Sequence, residues 1–346
     1  MVPVIDNTQK PLMPCSEKRA RQMVTSKKAT FFWAKGIFCI RLNQEPSARN
    51  LQQIVVGIDP GSKKEGFTVK SEAHTFLNIQ ADAVAWVKEA VETRRIMRRS
   101  RRSRKTPCRK NKMNRSRGGL PPSTKARWDW KLRIVAQLTK IFPITDFVVE
   151  DIKAMSKKHC RKWNKSFSPL EVGKAYFYAE LEKLGTVHLK QGYETKALRD
   201  AAGLKKTSKK LSEKFEAHCV DSWVLANDLV GGHTLPDNKR LLCIAPIRLH
   251  RRQLHLLCPA KGNIRRFYGG TRSMGFKRGA LVKHSKWGLS YAGGTSKGLI
   301  SLHSLGTGKR FCQNAKPLDV EFRAYNTWKT RFLPSLKEGV SAREIR

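Results

Sequence analysis

Residues 94–117, RRIMRRSRRSRKTPCRKNKMNRSR, hold 13 Lys or Arg among 24 residues and no Asp or Glu. Cations at that density cannot be packed into an apolar interior, because each one left unpaired loses several kcal/mol of hydration. The run lies inside the chain and is preceded by residues of helical composition. From Ala81 to about Arg104 there is no Gly or Pro, so one helix should run straight into the arginines until Pro107 stops it. A disordered basic tail is the competing reading, and both the internal position and the helical lead-in count against it.

The rest of the chain shares this bias. Its 346 residues carry 70 Lys plus Arg against 27 Asp plus Glu, a formal net charge of +43. A compact protein so basic repels itself and needs a polyanion, for which nucleic acid is the obvious candidate. An anionic membrane fits less well, since Pro, Ser and Cys interrupt the basic runs and no single amphipathic face results. No membrane partner is expected, because no stretch of about 18 apolar residues occurs. The start, MVPVIDNTQK, has no apolar run behind a basic flank, so no signal peptide is expected. The cysteines at 15, 39, 108, 160, 219, 243, 258 and 312 are scattered without a C-x-x-C pair. They read as reduced thiols of a cytoplasmic protein, and the spacing of a zinc site is missing.

Five regions can be drawn. Residues 1–50 form a small basic module: a turn over Pro11–Pro14, a short helix capped by Ser16, then a strand rich in Phe, Ile and Cys. Residues 51–93 contain the buried strand Ile54 to Asp59 and two hairpin partners, Phe67 to Val69 and Thr75 to Ile79. Residues 94–117 are the arginine-rich helix. Residues 118–235 alternate helix and strand: helix Ser123 to Ile141, strand Phe147 to Glu150, helix Leu170 to Leu184, strand Thr186 to Leu189 and helix Leu211 to Leu229. Residues 236–346 turn to Gly and short β-branched or aromatic runs, as in a β-rich, barrel-like or sandwich-like domain. Alternating strands and helices imply an α/β sheet for the central part.

Acids are scarce, which makes three of them conspicuous. Asp59 closes the first strand in GIDPGSKKEG, Glu150 closes a later one in FVVED, and Asp221 lies three residues after His218 in EAHCVDSW, on the same helix face. Carboxylates brought together at strand ends and on a neighbouring helix suit hard divalent cations, and two such ions can activate water for phosphodiester cleavage. Gly57 and Gly61, flanking Asp59, would let a nucleic-acid backbone approach. Each residue also has a plainer role. Asp59 before Pro60-Gly61 suits a turn cap. Glu150 suits an exposed strand end, with Asp151 facing inward alongside Phe147 and Val149. His218 alone is more often a satisfied polar residue than a catalytic one.

The ordered set is more specific than its members. The chain resembles the IscB/IsrB group of transposon-encoded, RNA-guided nucleases, compact relatives of the CRISPR effector nucleases. The resemblance rests on Pro11-Leu12-Met13-Pro14, on GIDPGSKKEG as the first segment of a split RuvC nuclease, and on the arginine run as its bridge helix. It rests also on FVVEDIKA and HCVDSWVLA as the second and third segments, with SFSPLEVGK and GYETKALRDAAGLKK between them. It covers about residues 10–230 strongly and the C-terminal part more loosely. It implies an α/β, RNase H-like (RuvC) core split by the bridge helix, between a small PLMP domain and a C-terminal domain contacting RNA or the target-adjacent motif. It further implies that Asp59, Glu150 and Asp221 bind Mg²⁺, as two ions with Mn²⁺ as a substitute, and that His218 accepts a proton or orients the attacking water. Nucleic acid would lie along Arg94, Arg95, Arg98, Arg99, Arg101, Arg102, Arg104, Lys105, Arg109 and Lys110.

Only 67 residues separate Glu150 from His218, and no ββα-metal pattern surrounds His159 or His188. The resemblance is therefore to the IsrB-like form that lacks an HNH nuclease. It implies a single RuvC site that nicks the non-target strand of a duplex matched by a long structured guide RNA (omega RNA). The partners would be that RNA and double-stranded DNA. The protein would be a monomer in the ribonucleoprotein, prokaryotic, cytoplasmic and nucleoid-associated when on DNA. In the C-terminal part, Arg265, Arg266, Arg272, Lys277 and Arg278 near Tyr268 and Phe276 are candidate contacts. Two other readings stay open: a guide-independent, structure-selective resolvase of the same fold, and a catalytically idle RNA-binding accessory protein.

Overall fold

The computed structural model describes residues 1–104, 120, 122–153, 170–246, 272–305, 307–325 and 328–333. The segments after Arg104 and around 154–169, 247–271 and 334–346 lie outside the described residues. Lys105, Arg109 and Lys110 lie there, as do Arg265, Arg266 and Tyr268. The chain is a mixed α/β protein dividing into two compact units, Met1–Ile244 with Thr330–Arg346, and Ala245–Lys329.

The first unit opens with a four-stranded sheet of β1 (Val2–Ile5), β2 (Pro11–Cys15), β3 (Ala29–Ala34) and β4 (Ile37–Leu42), in the order β2-β1-β4-β3. The segment Pro11–Pro14 is thus a strand and not the expected turn. It forms an edge paired only with β1, where two prolines lacking N–H groups leave no gap in a ladder. Helix α1 (Glu17–Thr25) follows, with Ser16 as N-cap accepting from the Arg19 amide. Asp6 closes this module. It is fully buried and accepts from Thr8 Oγ1 at 2.7 Å, the Lys10 amide at 2.8 Å and the Arg49 guanidinium.

The larger sheet has seven strands. They are β5 (Val55–Asp59), β6 (Lys64–Lys70), β7 (Thr75–Asp82), β8 (Asp146–Asp151), β9 (Thr186–Gln191), β10 (Leu241–Pro246) and β18 (Trp328–Leu333), ordered β18-β10-β7-β6-β5-β8-β9. Strands β5, β6 and β7 are an antiparallel meander; β8 runs parallel to β5, and β9 parallel to β8. Every residue of β5 is buried, as its apolar run requires of a central strand.

Helix α2 (Trp86–Ser103) begins five residues later than its composition suggested. Ala81 and Asp82 pair with Glu65 and Lys64 of β6 instead, and Lys64 Nζ donates to Asp82 Oδ1 at 2.7 Å. Helix α3 (Pro122–Leu138) buries Trp128, Trp130, Ile134, Val135 and Leu138, while Leu132 is only half-buried. It packs on α4 (Lys174–Glu182) through Trp128 and Phe177, whose ring centroids lie 4.9 Å apart. The sequence GYETKALRDA, to which no element was assigned, is helix α5 (Gly192–Ala201). Helix α6 (Phe215–Val230) is buried over most of its length and covers one face of the sheet.

The second unit contains β11 (Arg272–Ser273), β12 (Phe276–Lys277), β13 (Ala280–His284), β14 (Gly288–Ser296), β15 (Leu299–His303), β16 (Arg310–Ala315) and β17 (Val320–Tyr325). Strands β13–β17 form an antiparallel sheet in the order β16-β15-β14-β13-β17, and β11 with β12 forms a separate ribbon. Its core is Ala280, Val282, Ala292, Ile300, Leu302, Ala315 and Val320. The boundary expected after residue 235 moves to Ala245, because β10 and β18 extend the larger sheet. No helix among the described residues is long and apolar enough to cross a membrane.

Lys70 fastens the far end of α6. Its ammonium is fully buried and donates to the carbonyls of Ser71 at 2.9 Å, Glu72 at 3.4 Å and Gly231 at 2.6 Å. Burial lowers its pKa from 10.5 to about 8, against the opposing pull of Asp237 and Glu72. Between those two pH values the unfolded chain binds more protons at this site than the folded one, so stability should rise with pH across that window. Urea unfolding at pH 7.5–10.5 should show this rise in the wild type relative to Lys70→Met. Parallel curves for the two proteins would remove Lys70 as its source.

Candidate active site

The site is set by how closely α6 approaches the sheet. A Cβ on Gly57 of β5 would stand 1.8 Å from the Ser222 carbonyl oxygen, and one on Gly66 of β6 would stand 2.4 Å from that of His218. Two glycines on paired strands therefore let helix backbone rest on strand backbone. The close approach serves the protein's own helix, which corrects the expectation that Gly57 admits a nucleic-acid strand. Gly61 is likewise taken up within the chain, its missing Cβ facing the Lys64 carbonyl at 1.6 Å. Side chains lock the contact: Thr68 Oγ1 meets Ser222 Oγ at 2.8 Å, and Trp223 Nε1 donates to Thr75 Oγ1 at 2.9 Å.

This contact brings the N-terminal half of α6 beside the ends of β5 and β8. His218 Nδ1 lies 3.2 Å from Asp59 Oδ2, and its Nε2 lies 2.9 Å from the Lys210 carbonyl oxygen. Both ring partners are acceptors, so the ring is fully satisfied only when it carries two protons. Burial opposes that charge, but Asp59 and the Lys210 carbonyl outweigh it and hold the His218 pKa above its ordinary value. Asp59 is buried, which by itself favours its neutral form. The His218 hydrogen bond and the Lys206 and His218 charges reverse this and hold it ionised below the usual range.

Glu150 and Asp151 diverge as strand alternation requires. Glu150 shares the face of Val148, which packs against Leu225 and Ala226 of α6. It is half-buried and hydrogen-bonded to Asp59. Burial and the neighbouring Asp59 charge push its pKa up to about 8, with Asp221 adding to the rise and Lys206 opposing it. Asp151 points the other way and is engaged by Lys174 Nζ at 2.8 Å, Tyr178 Oη at 2.9 Å and Gln191 Nε2 at 3.1 Å. Its three partners engage Asp151 structurally, while Glu150 is the acid of this strand turned towards Asp59.

Asp221 is 1% exposed and doubly bound. Arg199 Nη1 of α5 donates to its Oδ1 at 2.7 Å, and the Lys206 ammonium donates to its Oδ2. Lys206 also feels Asp59 and Glu150, and the three carboxylates raise its pKa against the cost of burial. Arg199 and Lys206 lie in GYETKALRDAAGLKK, but nothing in that segment links them to Asp221, 22 and 15 residues away. Opposite α6, Glu65 and Lys131 form a pair at 2.8 Å with both side chains buried.

Among the described residues, no three His, Cys, Asp or Glu side chains form a ready coordination shell. The donor chemistry nevertheless fits a hard cation. Asp59 and Glu150 are two oxygen donors so close that one keeps a proton, the position a divalent ion would neutralise. Asp221, held by Lys206 and Arg199, would be the third oxygen donor of such a set. On the basic helix, Arg95, Arg98, Arg99, Arg102 and Arg104 are exposed, as are Val91 and Ile96. Arg95 pairs with Glu92 at 3.7 Å. The side chains of Arg94 and Arg101 lie outside the described residues.

A family model described as RRXRR protein matches residues 2–165, slightly under half of the chain. The matched part includes the pattern RRSRR at residues 98–102. No curated protein matches. Among solved structures, T. thermophilus RuvC in complex with Holliday junction substrate is similar at 14% identity and a TM-score of 0.28, over 52% of this chain and 98% of that one.

The glycine contact yields a direct test. In Gly57→Ala the new methyl group meets backbone that cannot rotate away, so overpacking should cost about 3 kcal/mol or more. Gly294→Ala, with nothing within 4 Å of its Cβ, is the control and should stay within about 0.5 kcal/mol of wild type. Equal denaturation midpoints for the two variants would show that α6 tolerates displacement.

Proposed function

We propose that the protein is an RNA-guided, metal-dependent DNA endonuclease with an RNase H-like core that nicks one strand, the non-target strand, of a guide-matched duplex. One observation carries this reading. Asp59, Glu150, His218 and Asp221 come from three separated segments and converge at the ends of β5 and β8 and on α6. The meander β5–β7, extended by parallel β8 and β9, supports the RNase H-like assignment.

The geometry supports the following roles. Asp59, Glu150 and Asp221 would hold Mg²⁺, which when bound supplies Lewis acidity and lowers the pKa of water. Glu150 would have to give up its proton to serve as a ligand. Arg199 fixes the Asp221 carboxylate from the side of α5. His218, held between Asp59 and the Lys210 carbonyl, is a proton holder and orienting group in this arrangement, more than a ready acceptor. Arg98, Arg99, Arg102 and Arg104 offer an exposed cationic rod for backbone phosphates, and Arg geometry suits bidentate contacts. Sequence would be read by guide pairing.

Two experiments check the proposal. A guide-matched duplex with each strand labelled separately is incubated with protein, guide RNA and Mg²⁺. Product should come from the non-target strand alone, and Asp59→Ala, Glu150→Ala or Asp221→Ala should abolish it while RNA binding persists. Cleavage without RNA would favour the resolvase reading, and target-strand cutting that survives Asp59→Ala would reveal a second site. In the other, Arg98, Arg99 and Arg102 are changed to Gln and RNA affinity is measured against salt. Each lost phosphate contact should flatten the log–log slope by roughly 0.7–0.9. An unchanged slope would mean that this face of α2 meets no RNA.

A further inference from the structure

The carboxylate site is already neutralised by the chain itself. Asp221 accepts from Arg199 and Lys206, Asp59 from His218, and Glu150 retains a proton beside Asp59. Of the three cations, Arg199 is 14% exposed and His218 10%, whereas Lys206 is 31% exposed at the rim. Lys206 is also the one whose charge acts on all three carboxylates.

We propose that Lys206 is the resident counter-ion of the metal-free site and competes with the divalent cation for it. Its ammonium holds Asp221 Oδ2 and neutralises the Asp59–Glu150 pair until the cation displaces it into solvent. This rests on the reading of the carboxylates as metal ligands. The backbone around Lys206 makes the exchange a side-chain movement. The following loop is pinned by Gln80 Nε2 to the Ser212 carbonyl at 2.8 Å, by the Thr207 amide to the Glu216 carbonyl at 2.9 Å, and by Arg331 to Glu213 at 2.5 Å. A four-carbon side chain at the rim can swing outward while these contacts stay. Arg199, anchored on α5 and less exposed, keeps Asp221 in place during the exchange.

Competition between like charges makes the consequence measurable. Two cations a few ångströms apart repel each other strongly even at an effective dielectric near 20. Removing one should thus favour the other, whereas losing a merely structural lysine should not. Mn²⁺ binding to the full-length protein is measured by loss of the free-ion EPR signal, with no nucleic acid present. Lys206→Gln should bind Mn²⁺ roughly tenfold more tightly or better than wild type, a factor well inside that repulsion. In EDTA, Lys206→Gln should melt below wild type, and saturating Mn²⁺ should close the gap. A second readout needs no variant: reductive methylation of wild-type protein, followed by peptide mass spectrometry, should label Lys206 faster with Mn²⁺ than in EDTA. Equal or weaker Mn²⁺ binding by Lys206→Gln, or unchanged labelling of Lys206, would overturn the proposal. Asp59→Asn and Glu150→Gln separate this from failure of the underlying reading, because Mn²⁺ binding unaffected by either would mean that no cation enters the site.

Discussion

The arrangement of the candidate site depends on the absence of two methyl groups. With hydrogen at Gly57 and Gly66, α6 lies against the backbones of β5 and β6. A side chain at either position would lift the helix by the width of a carbon atom, carrying His218 and Asp221 with it. N–H···O hydrogen bonds span about 2.7–3.2 Å, and the His218–Asp59 contact already lies at the upper end, 3.2 Å. The cluster Phe215, Cys219, Val220, Trp223, Val224 and Leu241 then holds the helix down, each large apolar side chain contributing roughly 1.5–3 kcal/mol through burial. Packing here is the means by which acids far apart in sequence are forced together against their mutual repulsion.

That repulsion shapes the electrostatics. In a chain with so few acids, three of them converge, and the protein answers with Arg199, Lys206 and His218 from two neighbouring elements and a loop. The arrangement is stable without a metal because the charges are matched locally. Elsewhere the imbalance is left open. The exposed arginines of α2 have few acidic neighbours among the described residues, Glu92 being paired with Arg95. The molecule therefore separates a neutralised pocket from an uncompensated cationic rod.

Much of this was legible in the sequence. The apolar run ending in Asp59, the FVVED strand and the HCVDSW helix could be placed because each carries its own period and a charged terminus. Ser16 was recognisable as a cap because its partner is three residues away. What could not be read was long-range. Arg199 and Lys206 reach Asp221 only after folding, and Gly57 and Gly61 read as openings for a ligand although α6 covers the first and the Lys64 carbonyl the second. Pro11–Pro14 resembled a turn because proline marks turns and edge strands alike; only its pairing with β1 decides. Composition shifts after residue 235, but β10 is claimed by its parallel pairing to β7, a choice made by a strand far upstream.

The path of the chain through the larger sheet has an evolutionary corollary. The polypeptide leaves the sheet at β10, builds the unit Ala245–Lys329, and returns at β18, the strand hydrogen-bonded to β10. Exit and re-entry are thus neighbours, and the sheet closes on itself whatever lies between them. A module inserted at such a doorway can be lengthened, exchanged or lost as long as β10 and β18, whose Leu241 and Leu333 pack against α6, keep their places. Change in the inserted unit is thereby separated from change in the sheet that carries Asp59 and Glu150.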